Sequence, residues 1–132
     1  MTLHFERAGG GPPLLLLHGI GSNSRSFRHQ LTVLCDAFDV IAWDAPGYGR
    51  SDDPPLNAGL EYFADQAVAL LDELQIERAH VLGVSLGGVI AQSVYHRHPS
   101  RVQSLILVDT TPGAGAAPEP EQIGRASCRE RV

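Results

Sequence analysis

Lysine is absent from these 132 residues: all ten basic side chains are Arg, set against 15 Asp and Glu. That absence rules out a P-loop, whose glycine-rich turn needs a Lys on the phosphates. The Arg-only bias fits a GC-rich coding sequence better than any binding role. A net charge of −5 argues against nucleic acid or an anionic membrane surface as partner. Cysteine is nearly absent too, with two in the chain, Cys35 and Cys128, so a disulfide framework is excluded. The histidines show no metal-ligand spacing; His4, His29 and His80 read as surface or strand residues, and neither metal nor cofactor is expected. No apolar run approaches the roughly 20 residues that cross a bilayer. The first six residues carry no basic stretch followed by an apolar one, so no signal peptide or anchor is expected and the cytoplasm is the default compartment. Nothing in the sequence speaks to oligomeric state.

What is present is alternation. Residues 3–7 read as a strand and Gly9-Gly10-Gly11-Pro12-Pro13 as a turn. Then come strand, helix, strand, loop, helix, strand, helix, strand, the pattern of a mostly parallel α/β sheet with helices on both faces. Leu14-Leu15-Leu16-Leu17 is a continuous apolar run suited to a strand covered on both sides. A helix is expected over residues 24–38. Another is expected over 61–74, where Phe63, Ala67, Leu70, Leu71 and Leu74 make a 3.6-residue stripe that packs on the sheet. A third is expected over 86–98, with Val89, Ile90 and Val94 on one side and Pro99 ending it. No internal repeat is visible. Residues 113–120 form a Gly/Ala/Pro piece that reads as the lead into a lid.

The chemistry sits where strands empty into loops. Gly83-Val84-Ser85-Leu86-Gly87 follows the apolar run Ala79-His80-Val81-Leu82 and spells a serine on a strand-to-helix turn, strained so that its hydroxyl stands clear of the backbone. The plainer alternative makes Gly83 and Gly87 ordinary turn glycines and Ser85 a helix N-cap. Upstream, the strand at Leu14–Leu17 opens into His18-Gly19-Ile20-Gly21. A glycine-flanked loop there can aim a backbone N–H at a developing oxyanion, and we assign the two donors to Ile20 and Leu86. His18 could be a base, but its position suits a brace for the loop. A third strand opens into Asp44-Ala45-Pro46-Gly47-Tyr48-Gly49-Arg50-Ser51-Asp52. Asp109, closing the strand at 104–108, is a candidate acid that reads more simply as a loop-capping aspartate.

These three motifs in this order resemble the α/β-hydrolase fold family over about Leu3 to Thr111. The small esterase and enol-lactonase branch, which includes the 3-oxoadipate enol-lactonases, is the nearest likeness. The resemblance implies acyl transfer: Ser85 attacks an ester-like carbonyl, the Ile20 and Leu86 amides hold the oxyanion, and water releases the acyl group. It also implies an acid and a histidine after the nucleophile. Downstream of Ser85 the only histidines are His96 and His98, roughly 15 to 20 Å along the helix from the serine at 1.5 Å per residue. The catalytic histidine is therefore expected to be absent from the chain.

The C-terminus suggests why. Residues 123–132, Ile-Gly-Arg-Ala-Ser-Cys-Arg-Glu-Arg-Val, read as the translation of a common sequencing-adapter oligonucleotide and are set aside from fold reasoning. Setting them aside removes three Arg and one Glu and moves the net charge from −5 to −7. Folds with these motifs run to about 200–250 residues. Residues 1–122 are thus expected to be the N-terminal half of an α/β-hydrolase domain. The complete protein reads as a serine hydrolase of small carboxylic esters or lactones, taking a small-molecule substrate. The alternatives are carbon–carbon bond hydrolysis or elimination on the same scaffold, and a non-catalytic binding protein that keeps the fold.

Overall fold

A computed structural model describes residues 1–112. The tail at 123–132 and the Gly/Ala/Pro piece at 113–120 lie outside the described residues. Five strands form one sheet: β1 (Phe5–Ala8), β2 (Pro13–Leu17), β3 (Asp39–Trp43), β4 (Ala79–Val84) and β5 (Val102–Val108). Three α-helices connect them: α1 (Arg28–Leu34), α2 (Leu60–Glu73) and α3 (Leu86–Arg97).

The strand order is β1-β3-β2-β4-β5, parallel throughout except for β1, which runs antiparallel to β3. That exception is a matter of reach: only residues 9–12 separate β1 from β2, enough to reverse the chain but too few for a parallel crossover. The first crossover, β2 to β3 through α1, moves one way across the sheet. The next two, through α2 and α3, move the other way. Right-handed crossovers running in opposite directions must lie on opposite faces, and the two cores follow. One face packs Leu14, Leu16, Val40 and Ala42 against Phe27, Leu31 and Leu34 from the α1 side. The other packs Leu15, Leu17, Ile41, Trp43 and Val81 against Ala64, Ala67, Val68, Leu70 and Leu71 of α2 and Ile90, Ala91 and Val94 of α3. Each large side chain so buried contributes about 1.5–3 kcal/mol.

Three local expectations are corrected. The first strand is Phe5–Ala8 rather than 3–7. The single helix expected over 24–38 is a 3-10 turn, Ser24–Phe27, followed by the short α1. Asn23 starts the 3-10 turn by accepting from the Arg25 amide, and α1 closes when the Ala37 and Phe38 amides both bond the Leu34 carbonyl. On α3 the buried side is Gly87, Gly88, Ile90, Ala91 and Val94, while Val89 is only half-buried.

The direction of winding reverses between β2 and β4. In an open α/β sheet the crevice beyond the carboxyl ends at such a reversal is where ligands bind. Leu17 pairs with Gly83 there, so the loops that follow, starting at His18 and Ser85, stand side by side.

Candidate active site

Ser85 is the single residue between β4 and α3, at φ 56° and ψ −117°. A residue with a Cβ pays about 1–3 kcal/mol to sit there, so the surroundings must over-determine it. They do: its N–H donates to the Val108 carbonyl at 3.0 Å, and its carbonyl accepts from Gly88 N–H at 2.9 Å, Val89 N–H at 3.3 Å and the Thr110 hydroxyl at 2.6 Å. The turn also needs bare backbone. A Cβ on Gly83 would strike the Gly87 carbonyl, and one on Gly87 would strike the Leu17 carbonyl. Ser85 occupies the N-cap position of α3, yet its side chain makes no capping bond and the residue is exposed. Its hydroxyl therefore serves no helix-capping role.

The loop after β2 leans on this turn. A Cβ on Gly19 would lie 3.2 Å from the Ser85 Cβ and 3.7 Å from its Oγ, so the backbone leading into Ile20 passes the serine at van der Waals range. Among the described residues neither the Ile20 N–H nor the Leu86 N–H has an acceptor. A cavity of about 340 Å³ opens here, lined by His18, Gly19, Ser22, Ser26, Phe27, Gln30 and Val84. A second, roomier cavity of about 400 Å³ is lined by Asp44 with His4, Glu6, Arg25, Arg28 and Arg50; it shares no lining residue with the first.

His18 is 2% exposed and both ring nitrogens are engaged. The Ala45 amide lies 3.0 Å from Nε2, and an amide can only donate, so Nε2 accepts and the ring proton sits on Nδ1, which donates to the Gly19 carbonyl at 2.9 Å. Burial lowers its pKa, against the opposing pull of the Gly19 carbonyl and the Asp44 charge, and favours this neutral form. A ring so held has no free nitrogen to offer a serine hydroxyl. It joins the loop after β3 to the loop that carries Ile20.

The loop after β3 is organised by Asp44, a role that the sequence reading missed. The carboxylate is 3% exposed; Oδ1 accepts from the Ser24 amide at 2.7 Å and Oδ2 from the Arg50 amide at 3.0 Å. Burial alone would raise its pKa, but these amides, with the Ser24 hydroxyl and His4, outweigh it and hold the carboxyl below the usual range. Gly49, at φ 51°, passes so close that any Cβ would collide with this carboxylate. The one available signal was an acid placed immediately after the wholly apolar strand Val40–Trp43. Thr110, bonded to the Ser85 carbonyl, carried none, because its partner is 25 positions away.

The remaining candidates make no bond to the serine among the described residues. Asp109 is exposed at φ 49° and bonds no other described residue. His96 is exposed, and His98 is paired with Asp65 at 2.8 Å on the outer side of α2 and α3. Among the described residues no group of three or more His, Cys, Asp or Glu is placed to hold a metal, and no helix is long and apolar enough to cross a membrane.

A mostly parallel sheet, wrapped by helices on both faces and gathering its polar loops at the carboxyl ends of β2, β3 and β4, is an α/β protein built to carry chemistry on those loops. The chain belongs to the α/β hydrolase fold family, which its residues 12–126 match. It is similar to a pimeloyl-[acyl-carrier protein] methyl ester esterase of Aeromonas hydrophila, 38% identical over 85% of this chain and 43% of that protein. Among solved structures it is similar to a thermophilic esterase from Thermogutta terrifontis, at 34% identity and TM-score 0.81 over 90% of this chain and 43% of the other. It is likewise similar to the enol-lactonase of Burkholderia xenovorans, at 27% identity and TM-score 0.79 over 83% and 44%. The chain spans about 30% to 43% of the length of the curated relatives it matches.

Proposed function

We propose that the complete protein is a serine hydrolase of small carboxylic esters or lactones working through an acyl-enzyme on Ser85. The observation that carries this reading is the serine itself: exposed, held at φ 56°, free of any capping bond, and close to the Gly19 backbone. In the first step Oγ forms a bond to the ester carbonyl carbon, its proton passes to a base, and the carbonyl electron pair collects on the oxygen facing the Ile20 and Leu86 amides. Collapse expels the alkoxide, which takes that proton. Water then repeats the sequence and releases the acid. Hole donors of this kind are each worth about 10²–10³ in kcat. The family resemblance implies an imidazole base oriented by a carboxylate; among the described residues His18 is committed to the Ala45 amide and the Gly19 carbonyl, and His98 to Asp65. The cavity beside Gly19 supports a small substrate, with Phe27 and Val84 as its apolar wall and no charged residue except by protonation of His18. The esterases and the enol-lactonase it resembles support the same bond class.

A fluorophosphonate probe tests this on the full-length protein. Covalent labelling at Ser85, lost in Ser85→Ala, is the expected result; correctly folded full-length protein that takes no label overturns the reading. The 132-residue chain alone is expected to label slowly, because among the described residues no base is bonded to its serine.

A further inference from the structure

The exit of β5 grips both peptide groups of the nucleophile. On one side the Val108 carbonyl accepts the Ser85 N–H at 3.0 Å; on the other the Thr110 hydroxyl donates to the Ser85 carbonyl at 2.6 Å. Asp109, between them, takes the left-handed conformation at φ 49°, which turns the chain so that its two neighbours both face the elbow. Thr110 is buried, at 7% exposure, and its side chain fills the space that a Cβ on Gly88 would need. The grip continues one residue on, where the Gln92 amide donates to the Thr111 carbonyl at 2.7 Å and to Gly88 O at 3.1 Å.

A peptide unit is planar and trans, so its C=O and N–H point in opposite directions. Fixing the Ser85 carbonyl therefore fixes the direction of the Leu86 N–H, the donor that has no acceptor among the described residues. We infer that Thr110 is a positioning residue for the oxyanion donor: its hydroxyl holds the Ser85–Leu86 peptide so that the Leu86 N–H faces the reacting carbonyl. The helical bonds from Gly88 and Val89 also reach the Ser85 carbonyl. Removing the hydroxyl therefore orphans no buried acceptor; it loosens the rotation of one peptide plane. The effect belongs to the transition state, where charge develops on the oxygen, and not to ground-state binding.

The inference rests on Ser85 being the nucleophile, and the test separates the two. In the full-length enzyme Thr110→Val keeps the shape and the Gly88 contact and loses only the hydroxyl; Thr110→Ser keeps the hydroxyl and loses the methyl. For Thr110→Val, kcat is expected to fall about 10- to 50-fold, a fraction of what losing an oxyanion donor outright costs, with KM within about twofold. For Thr110→Ser, kcat is expected within about threefold of the parent. Equal losses in both variants, or an unchanged kcat in Thr110→Val, overturn the positioning role. Independently of turnover, the Ser85 carbonyl carbon resonance reports the bond: it should shift in Thr110→Val and stay in Thr110→Ser, and no shift in Thr110→Val overturns the inference. Failure of the parent enzyme to label at Ser85 would instead remove the nucleophile assignment while the carbonyl resonance still tests the clamp.

Discussion

Two polar residues follow β3 and β4, the strands on either side of β2, at the same carboxyl end of the sheet, and are treated in opposite ways. Asp44, after β3, is 3% exposed, and both carboxylate oxygens are bonded to backbone amides. Ser85, after β4, is exposed and its side chain bonds nothing at the helix it caps, although its backbone is held from both sides. At Asp44 the side chain organises the backbone. At Ser85 the backbone organises the side chain. A buried, saturated polar group stabilises the fold, whereas an exposed, unsatisfied one on a strained residue costs stability, a cost that the proposed nucleophile role of Ser85 would explain.

The sharpest way to break this contrast is Ser85→Gly in the full-length protein. Glycine is at ease at φ 56°, so relief of about 1–3 kcal/mol of strain outweighs the roughly 0.5–1 kcal/mol of added chain entropy in the unfolded state. The expected outcome is a fall in ester hydrolysis of about 10⁵-fold or more, with urea or thermal unfolding showing a gain of about 1 kcal/mol. If the variant is markedly less stable than the parent, the serine is structural and the contrast fails.

Asp44→Ala makes the reverse change. It leaves the buried Ser24 amide without its acceptor, at about 1–3 kcal/mol, and frees the Arg50 amide as well. A loss of about 2–4 kcal/mol in chemical denaturation is expected, and any loss of activity should follow the loss of folded protein. An Asp44→Ala protein with unchanged unfolding midpoint contradicts the organising role.

This asymmetry also explains what could be read in advance. The parallel strands were legible because each holds a short apolar run, and the alternation with helices left one architecture open. Ser85, Leu86, Gly83, Gly87, His18, Gly19 and Ile20 were legible as contiguous motifs, and the structure brings the two motifs side by side through the pairing of Leu17 with Gly83. The end of α1 was not legible: residues 35–38 contain no Gly or Pro to stop a helix, and the apolar spacing Phe27, Leu31, Leu34, Phe38 continues straight through the point where the chain turns. Asp44 and Thr110 escaped for a different reason. Their roles exist only through partners 6 to 25 positions away in sequence, and no local pattern encodes which amide or carbonyl a buried polar group will meet.

Asp65 separates bond count from burial. It accepts from Arg97 Nε at 2.9 Å and Nη2 at 2.8 Å and pairs with His98 at 2.8 Å, more partners than the Asp44 carboxylate has among side chains, and these hold its pKa down to about 2. Yet 42% of its side chain is exposed, and ion pairs in water of this kind are worth about 0–1 kcal/mol. Its folded pKa is depressed, so its contribution is present above the unfolded value of about 3.9 and disappears as pH falls toward 2. Asp65→Asn should therefore cost less than about 1 kcal/mol at neutral pH, and the gap from the parent should close between pH about 4 and about 2. Denaturation curves of the two proteins across that range give the measurement. If Asp65→Asn costs as much as Asp44→Ala, the number of bonds and not their burial is what makes a strand-end carboxylate structural, and Ser85 is then set apart from Asp44 only by its lack of partners.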